Sequence, residues 1–281
     1  ASDVYKRQEA IMYRHYTFEM LKHHIASYSN GVESQAPAPN LALAKSFICQ
    51  DGKVYQHSDI ENAKLLSIAN LAKTRDPRFE ATFIDHVNTN SVTLLYASKF
   101  IDREALTMDN PKNNPIYDSN TNTNDAPVIR YAEVLLNWIE AKEMRGDAIT
   151  QPDIDKSINL LRDRVGADKM VLTKLNAYGL NLRDEIRRER RVELALEGER
   201  YFDLLRWKQG DLLAKDVTGM RKSTVPPSEY VYVEDIPTDD KGNLILMTGR
   251  TFSDMKNYLW PIPFTQTQRN PNLLPNNPGW E

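Results

Sequence analysis

The stretch Arg183–Lys208, RDEIRRERRVELALEGERYFDLLRWK, forces charged and apolar side chains into close quarters. On a helix, Ile186, Glu189, Glu193 and Leu196 follow one another at spacings of three and four, so two carboxylates share a stripe with two aliphatic groups. A solvated helix keeps charge off its apolar stripe, so this one faces a packed surface. Glu189 and Glu193, one turn apart, admit three readings: the acid and base of a glycoside hydrolase, ligands of a metal held between helices, or members of an ion-pair network. The nearest upstream imidazole, His86, is remote in sequence, so a mixed carboxylate and imidazole site lacks its local nitrogen. Arg187, Arg190, Arg191 and Arg200 all lie within a turn or two, and guanidinium forks match carboxylates in geometry. Ion pairing is the simplest reading of the three.

Around that stretch the composition is ordinary. The chain has 281 residues, 41% of them hydrophobic and 27% charged, which suffices for a proper core. The net charge of -3, with basic and acidic residues interleaved, leaves no cationic stripe for a phosphate backbone, so nucleic acid is not expected as a partner. Cys49 is the only cysteine, which excludes an intramolecular disulfide and a multi-thiolate metal site. A small, half-buried hydrophobe is its expected role. No apolar run approaches the roughly 18 residues of a membrane span. Residues 1–8 read as a fusion scar or truncation edge, and residues 9–281 as one domain.

Upstream, Glu9 to Ile25 has a helical pattern with Ile11, Phe18, Leu21 and Ile25 on one face, followed by a Ser-, Asn-, Gly- and Pro-rich loop from Ala26 to Asn40. Ser58 and Glu61 have the spacing of a capping box for a helix over Ile60 to Lys73. Phe79 to Asp85 and Ser91 to Phe100 suit a short antiparallel pair, and Asp109 to Asp125 a surface loop. Asp125 and Pro127 are expected to open a helix carrying Ile129, Ala132, Leu135, Leu136 and Ile139 until Gly146; Pro152 starts a second, ended by Gly166. Two helices so closely linked form a hairpin. A third helix is expected from Asn181 to Gly198 and a fourth from Tyr201 to Gln209. Beyond them, Tyr230 to Val233 and Leu244 to Met247 read as two strands of a hairpin, and the tail, with five prolines in its last 21 residues, wraps in extended segments. The fold class is mainly α: tetratricopeptide-like helical hairpins with a few short β-hairpins and long irregular loops. Arg145-Gly146-Asp147 looks like an adhesion tripeptide but falls where a helix needs its glycine terminator.

Several separated motifs, APAPNLALAKSFICQDGK, DPRFEATF, APVIRYAEVLLNWIEA, INLLRDRVG, LRDEIRRERRVELALEGERYFDLLRW and YLWPIPFTQTQRNPNLLPNNPGW, together resemble one family. It is the SusD/RagB outer-membrane nutrient-binding lipoproteins of Bacteroidetes. The resemblance covers the chain from about Pro37 to its end, with Trp138-Ile139 standing where Tyr-Ala is common. It implies tetratricopeptide-like helix pairs, capture of glycans or other nutrients at the extracellular face of the outer membrane, and a partner TonB-dependent transporter of the SusC type. It also implies that this is the C-terminal region only. The signal, lipid-bearing cysteine and first repeat helices would lie upstream of residue 1, so contact with the membrane would run through that anchor and not through Cys49.

In the family, the loop before the PxxNL-type motif often borders the ligand, which nominates Tyr28, Asn30 and His24; Tyr230 and Tyr232 are a second candidate pair. Trp138, Trp207, Trp260 and Trp280 belong to scaffold motifs and are assigned to the core. Within the family frame, Glu189, Glu193 and Glu197 with Arg187, Arg190, Arg191 and Arg200 become a buried ion-pair lattice. No cofactor is expected; a structural calcium ion is left open, and no metal ligand is assigned. The expected function is non-enzymatic binding of a nutrient, foremost a glycan, with a peptide as the variant. A hydrolase using Glu189 and Glu193 requires both in an open cleft without arginine partners. An intracellular helical-repeat scaffold requires a gene without an upstream signal.

Overall fold

The computed structural model describes residues 9–17, 19–23, 39–89, 91–99, 123, 125–178 and 180–280. Its architecture is mainly helical, with two small antiparallel sheets of two strands each. The first sheet joins β1 (Ala10–Arg14) to the distant β2 (Ala126–Arg130). The helix expected over Glu9 to Ile25 is therefore absent from its described part. Pairing with β2 satisfies the backbone of β1 non-locally, and Thr17 and Leu21 exchange backbone hydrogen bonds across a tight turn. Ile11 and Leu21, the described members of the apolar face that suggested a helix, stay exposed.

A first apolar cluster collects the next elements: α1 (Leu41–Ala44), α2 (Ile68–Thr74) and α3 (Arg78–Thr82), with Phe47, Phe79 and Phe83 packed edge to face and tilted at its centre. Asn40 caps α1 by accepting the Leu43 N–H at 2.9 Å. The helix expected from Ile60 begins only at Ile68. Asn62 adopts φ 64°, which breaks helical continuity, and Ser58 spends its hydroxyl on Asp51 at 2.9 Å while its oxygen receives only the Ile60 N–H. The antiparallel pair expected from Phe79 is reduced to one bridge, Phe83 with Ala97, because Arg78–Thr82 winds into a helix.

The second cluster is built on helices α4 (Tyr131–Met144), α5 (Gln151–Asp155), α6 (Ile158–Val165), α7 (Leu172–Ala177) and α8 (Leu182–Glu193), with Met170 and Leu194 joining from the connecting segments. Helix α4 packs on both α6 and α8. It starts after β2 rather than at Pro127, since residues 126–130 are taken by the sheet, but Ala132, Leu135, Leu136 and Ile139 form its buried stripe. Thr150 and Asp153 make a capping box for α5, and Gly166 ends α6 at φ 68°. Asn181 caps α8.

Helix α8 stops at Glu193, short of the expected Gly198, as the chain turns through Leu196 (φ 64°) and Gly198 (φ 93°) into α9 (Glu199–Arg206) and α10 (Asp211–Ala214). The second sheet pairs β3 (Val217–Arg221) with β4 (Asn243–Met247). The expected partner of β4, Tyr230 to Val233, instead sits largely in a 3₁₀ turn over Pro227–Tyr232, started by the Pro226-Pro227 pair. A last helix, α11 (Phe264–Arg269), lies in the proline-rich tail.

Candidate functional site

Helix α8 turns Glu189 and Glu193 inward because they share the stripe of Ile186, and all three are at most 3% exposed. A carboxylate so placed needs partners, since a lone buried charge is prohibitively costly. Glu189 accepts from Arg78 Nη1 at 2.5 Å and from Arg162 Nε and Nη2 at 3.0 and 2.8 Å. Glu193 accepts from Arg164 at 2.8 and 2.9 Å, Arg130 at 3.1 Å and Arg78 at 3.3 Å. Glu197 takes Arg130 at 2.7 Å through both its oxygens and Lys99 at 2.6 Å. Asp76 holds Arg78 from the other side at 3.0 Å.

Burial alone pushes the Glu189 and Glu193 carboxyls up. For Glu189 the guanidinium groups of Arg162 and Arg78 outweigh it and hold the group well below the usual range. For Glu193, Arg164, Arg78 and Arg130 bring it down to about 2. Both are held as carboxylates at neutral pH by their arginine partners and are closed to solvent. A general acid needs a raised pKa and access to the substrate, so the hydrolase reading of this pair does not fit.

The partners are not those nearest in sequence. Of the four expected arginines, Arg190 alone joins an ion-pair network, a second one: it donates to Asp203 at 2.8 and 3.0 Å and to Asn137 at 2.6 Å. There Glu140 receives Arg206 and the indole N–H of Trp207, tying α4 to α9. Among the described residues no carboxylate lies within ion-pair distance of Arg187, Arg191 or Arg200. Two residues along a helix is about 200° of rotation, so Arg187 and Arg191 point away from the carboxylates two positions on. Sequence proximity suggested partners that helix geometry then excludes. The true partners, Arg78, Arg130, Arg162 and Arg164, come from other elements, and no local spacing in the sequence points to them.

Tyr28, Asn30 and His24 lie outside the described residues. Tyr230 and Tyr232 stand on the 3₁₀ turn, 40% and 65% exposed, with Lys222 Nζ 5.5 Å from the Tyr230 ring centre. They are surface groups and not members of a half-buried strand. Trp207 is buried, but Trp138 and Trp260 are 44% and 68% exposed and so correct the core assignment; Trp280 is half-buried with its indole N–H on the Lys256 and Leu259 carbonyls. Cys49 is buried with Sγ 3.2 Å from Arg75, and burial pushes its thiol up. Among the described residues no group of three His, Cys, Asp or Glu is placed to hold a metal, and no helix is long and apolar enough to cross a membrane.

A cleft of about 290 Å³ opens directly behind Asn40, between α1 and the α8–α9 turn, lined by Pro39, Leu43, Leu194, Leu196, Arg191 and Arg200 among others.

The pattern of the SusD family spans residues 8–280, and the chain belongs to that family. It is 30% identical over 164 residues to the SusD-like protein P2 of Formosa agariphila, an alignment covering 57% of this chain and 26% of that protein. Among solved structures it resembles a SusD-like carbohydrate-binding protein of Bacteroides fragilis, with TM-score 0.72, 25% identity, and coverage of 94% of this chain and 54% of that one. A second SusD-like protein of Bacteroides fragilis shares the fold with TM-score 0.62 at 22% identity, covering 99% of this chain and 56% of its own. The chain thus spans about half the length of these structures.

Proposed function

We propose that the chain is the C-terminal region of a cell-surface glycan-binding protein that captures ligand without hydrolysing it. The observation that carries the proposal is the family match across nearly the whole chain, supported by likeness to a neighbour described as carbohydrate-binding. In this reading residues 9–281 form one domain, an upstream lipid anchor holds the protein to the extracellular face of the outer membrane, and bound glycan passes to a SusC-like TonB-dependent transporter. Tyr232 and Tyr230, 65% and 40% exposed, offer ring surface for sugar C–H groups, with Lys222, which also donates to the Glu234 and Ile236 carbonyls, over the Tyr230 ring. Tyr28, Asn30 and His24, in the stretch that precedes Asn40 in the sequence, are the further proposed contacts.

The test is affinity electrophoresis of the full-length protein against a panel of immobilised glycans, with Tyr232→Ala as the informative variant. Retention by at least one glycan, weakened in the variant at unchanged melting temperature, is the expected result. No retention across the panel alongside capture of members of a peptide library would replace glycan with peptide.

A further inference from the structure

The side of α8 turned away from the carboxylate lattice carries an arginine-lined recess of about 160 Å³. Arg187, Arg188 and Arg191 line it from α8 and Arg200 from α9, with Ser46, Asp184 and Gln209 completing the wall. Arg188 is already engaged, bonded to Glu185 and to the Ser46 carbonyl. Arg187 and Arg200 lie over the Trp207 ring, 4.9 and 5.7 Å from its centre, and that ring is fixed by its bond to Glu140. Arg191 has no carboxylate within ion-pair distance among the described residues, although burial and the Arg200 charge beside it depress its pKa to about 10.

Elsewhere among the described residues, Arg78, Arg130, Arg162 and Arg190 are buried or half-buried and each holds at least one carboxylate, while the buried Arg75 holds none and donates instead to Thr74, Cys49 and the Ala63 carbonyl. Here like charges converge and the one acid on the wall, Asp184, pairs with none of them. We propose that this recess binds an oxyanion, a sulfate, phosphate or carboxylate group, gripped by Arg191 and Arg200 with Arg187 at the edge. Guanidinium forks match such groups in geometry. The recess is well below the roughly 300 Å³ at which sites for whole small molecules begin, so it suits an ion or a single substituent. Arg191 and Arg200 also line the larger cleft, so an anionic substituent could enter the recess while the ring that bears it occupies the cleft. A free inorganic anion and a charged sugar are therefore the two sources of one chemistry.

The test is thermal unfolding of the intact protein titrated with sodium sulfate against sodium chloride at matched ionic strength, then with methyl glucuronide against methyl glucoside. Sulfate is expected to give a saturable rise in Tm that chloride does not reproduce. Arg191→Gln and Arg200→Gln should abolish that rise, and because Arg191→Gln removes a repulsion, its Tm without sulfate should not fall. Arg183→Gln, at an exposed position bonded to Glu143, should keep the full response. Glucuronide stabilising the protein where glucoside does not would assign the site to charged sugars; sulfate acting alone would assign it to free oxyanions. Equal shifts with chloride, or an undiminished sulfate response in both arginine variants, would overturn the proposal. Retention of Arg191→Gln on a neutral glycan, measured in parallel, separates failure of this site from failure of the glycan reading.

Discussion

Glu189 is held from two sides, by Arg78 of α3 and by Arg162 of α6, and its own exposure is zero. Removing it leaves the buried Arg162 without a carboxylate, while Arg78 keeps Asp76 and Glu193, whereas the intact set is close to neutral in its net contribution. Glu189→Ala is therefore expected to destabilise the fold by about 3 to 5 kcal/mol, read as a lower midpoint in urea unfolding with unchanged slope. Glu193 adds a pH signature. Its folded pKa of about 2 lies below the ordinary 4.5, so the stability it supplies is complete above pH 4.5 and is lost as pH falls toward 2. The difference in Tm between the wild type and Glu193→Gln should be constant from pH 7 to about 5 and shrink through that acid window; a difference that persists undiminished at pH 2.5 would place the stabilisation elsewhere.

At the scale of elements, the turn between α8 and α9 sets the angle at which Asp203 meets Arg190, and it depends on Gly198 at φ 93°. A Cβ there would meet no atom within 4 Å, so the penalty for Gly198→Ala is purely one of backbone conformation, roughly 1 to 2 kcal/mol. Gly198→Asn should lose less than alanine in the same denaturation experiment, because asparagine tolerates the left-handed region. Elements of this kind were legible in the sequence wherever local chemistry decides them. The stripe of Leu135, Leu136 and Ile139, the glycine end of α6 and the asparagine cap of α8 are all visible as spacing and residue type. The two misread strand pairings share one physical origin, pairing with a distant segment. Ala10–Arg14 has helical spacing but is recruited by Ala126–Arg130, and Asn243–Met247 pairs with Val217–Arg221, not with the nearer Tyr230–Val233, which the Pro226-Pro227 pair tightens into a turn. The ion-pair lattice was half legible for the same reason. Its carboxylates follow from periodicity along one helix, while its arginines are supplied by tertiary structure that no spacing reports.

On the scale of the whole molecule, α8 is the wall shared by the two apolar clusters. Val192 packs into the cluster of Phe47, Phe79 and Leu244, whereas Ile186 and Leu194 pack into that of Leu136, Ile139 and Leu161. The charge lattice crosses the same wall, since Glu189 reaches α3 on the first side and α6 on the second. Such a clamp links the opening of one cluster to that of the other, beyond what it adds to either. Native-state hydrogen exchange distinguishes the two roles. In Glu189→Ala, amides of both Phe79–Thr82 and Leu161–Val165 are expected to lose protection together, because each segment has lost its shared anchor. Leu136→Ala, a cavity confined to the second cluster, should lower protection in α4 and α6 by more than in α3. Were α3 to keep wild-type protection in Glu189→Ala, the lattice would be a local feature of the helical layer and the two clusters would be joined by apolar contact across α8 alone.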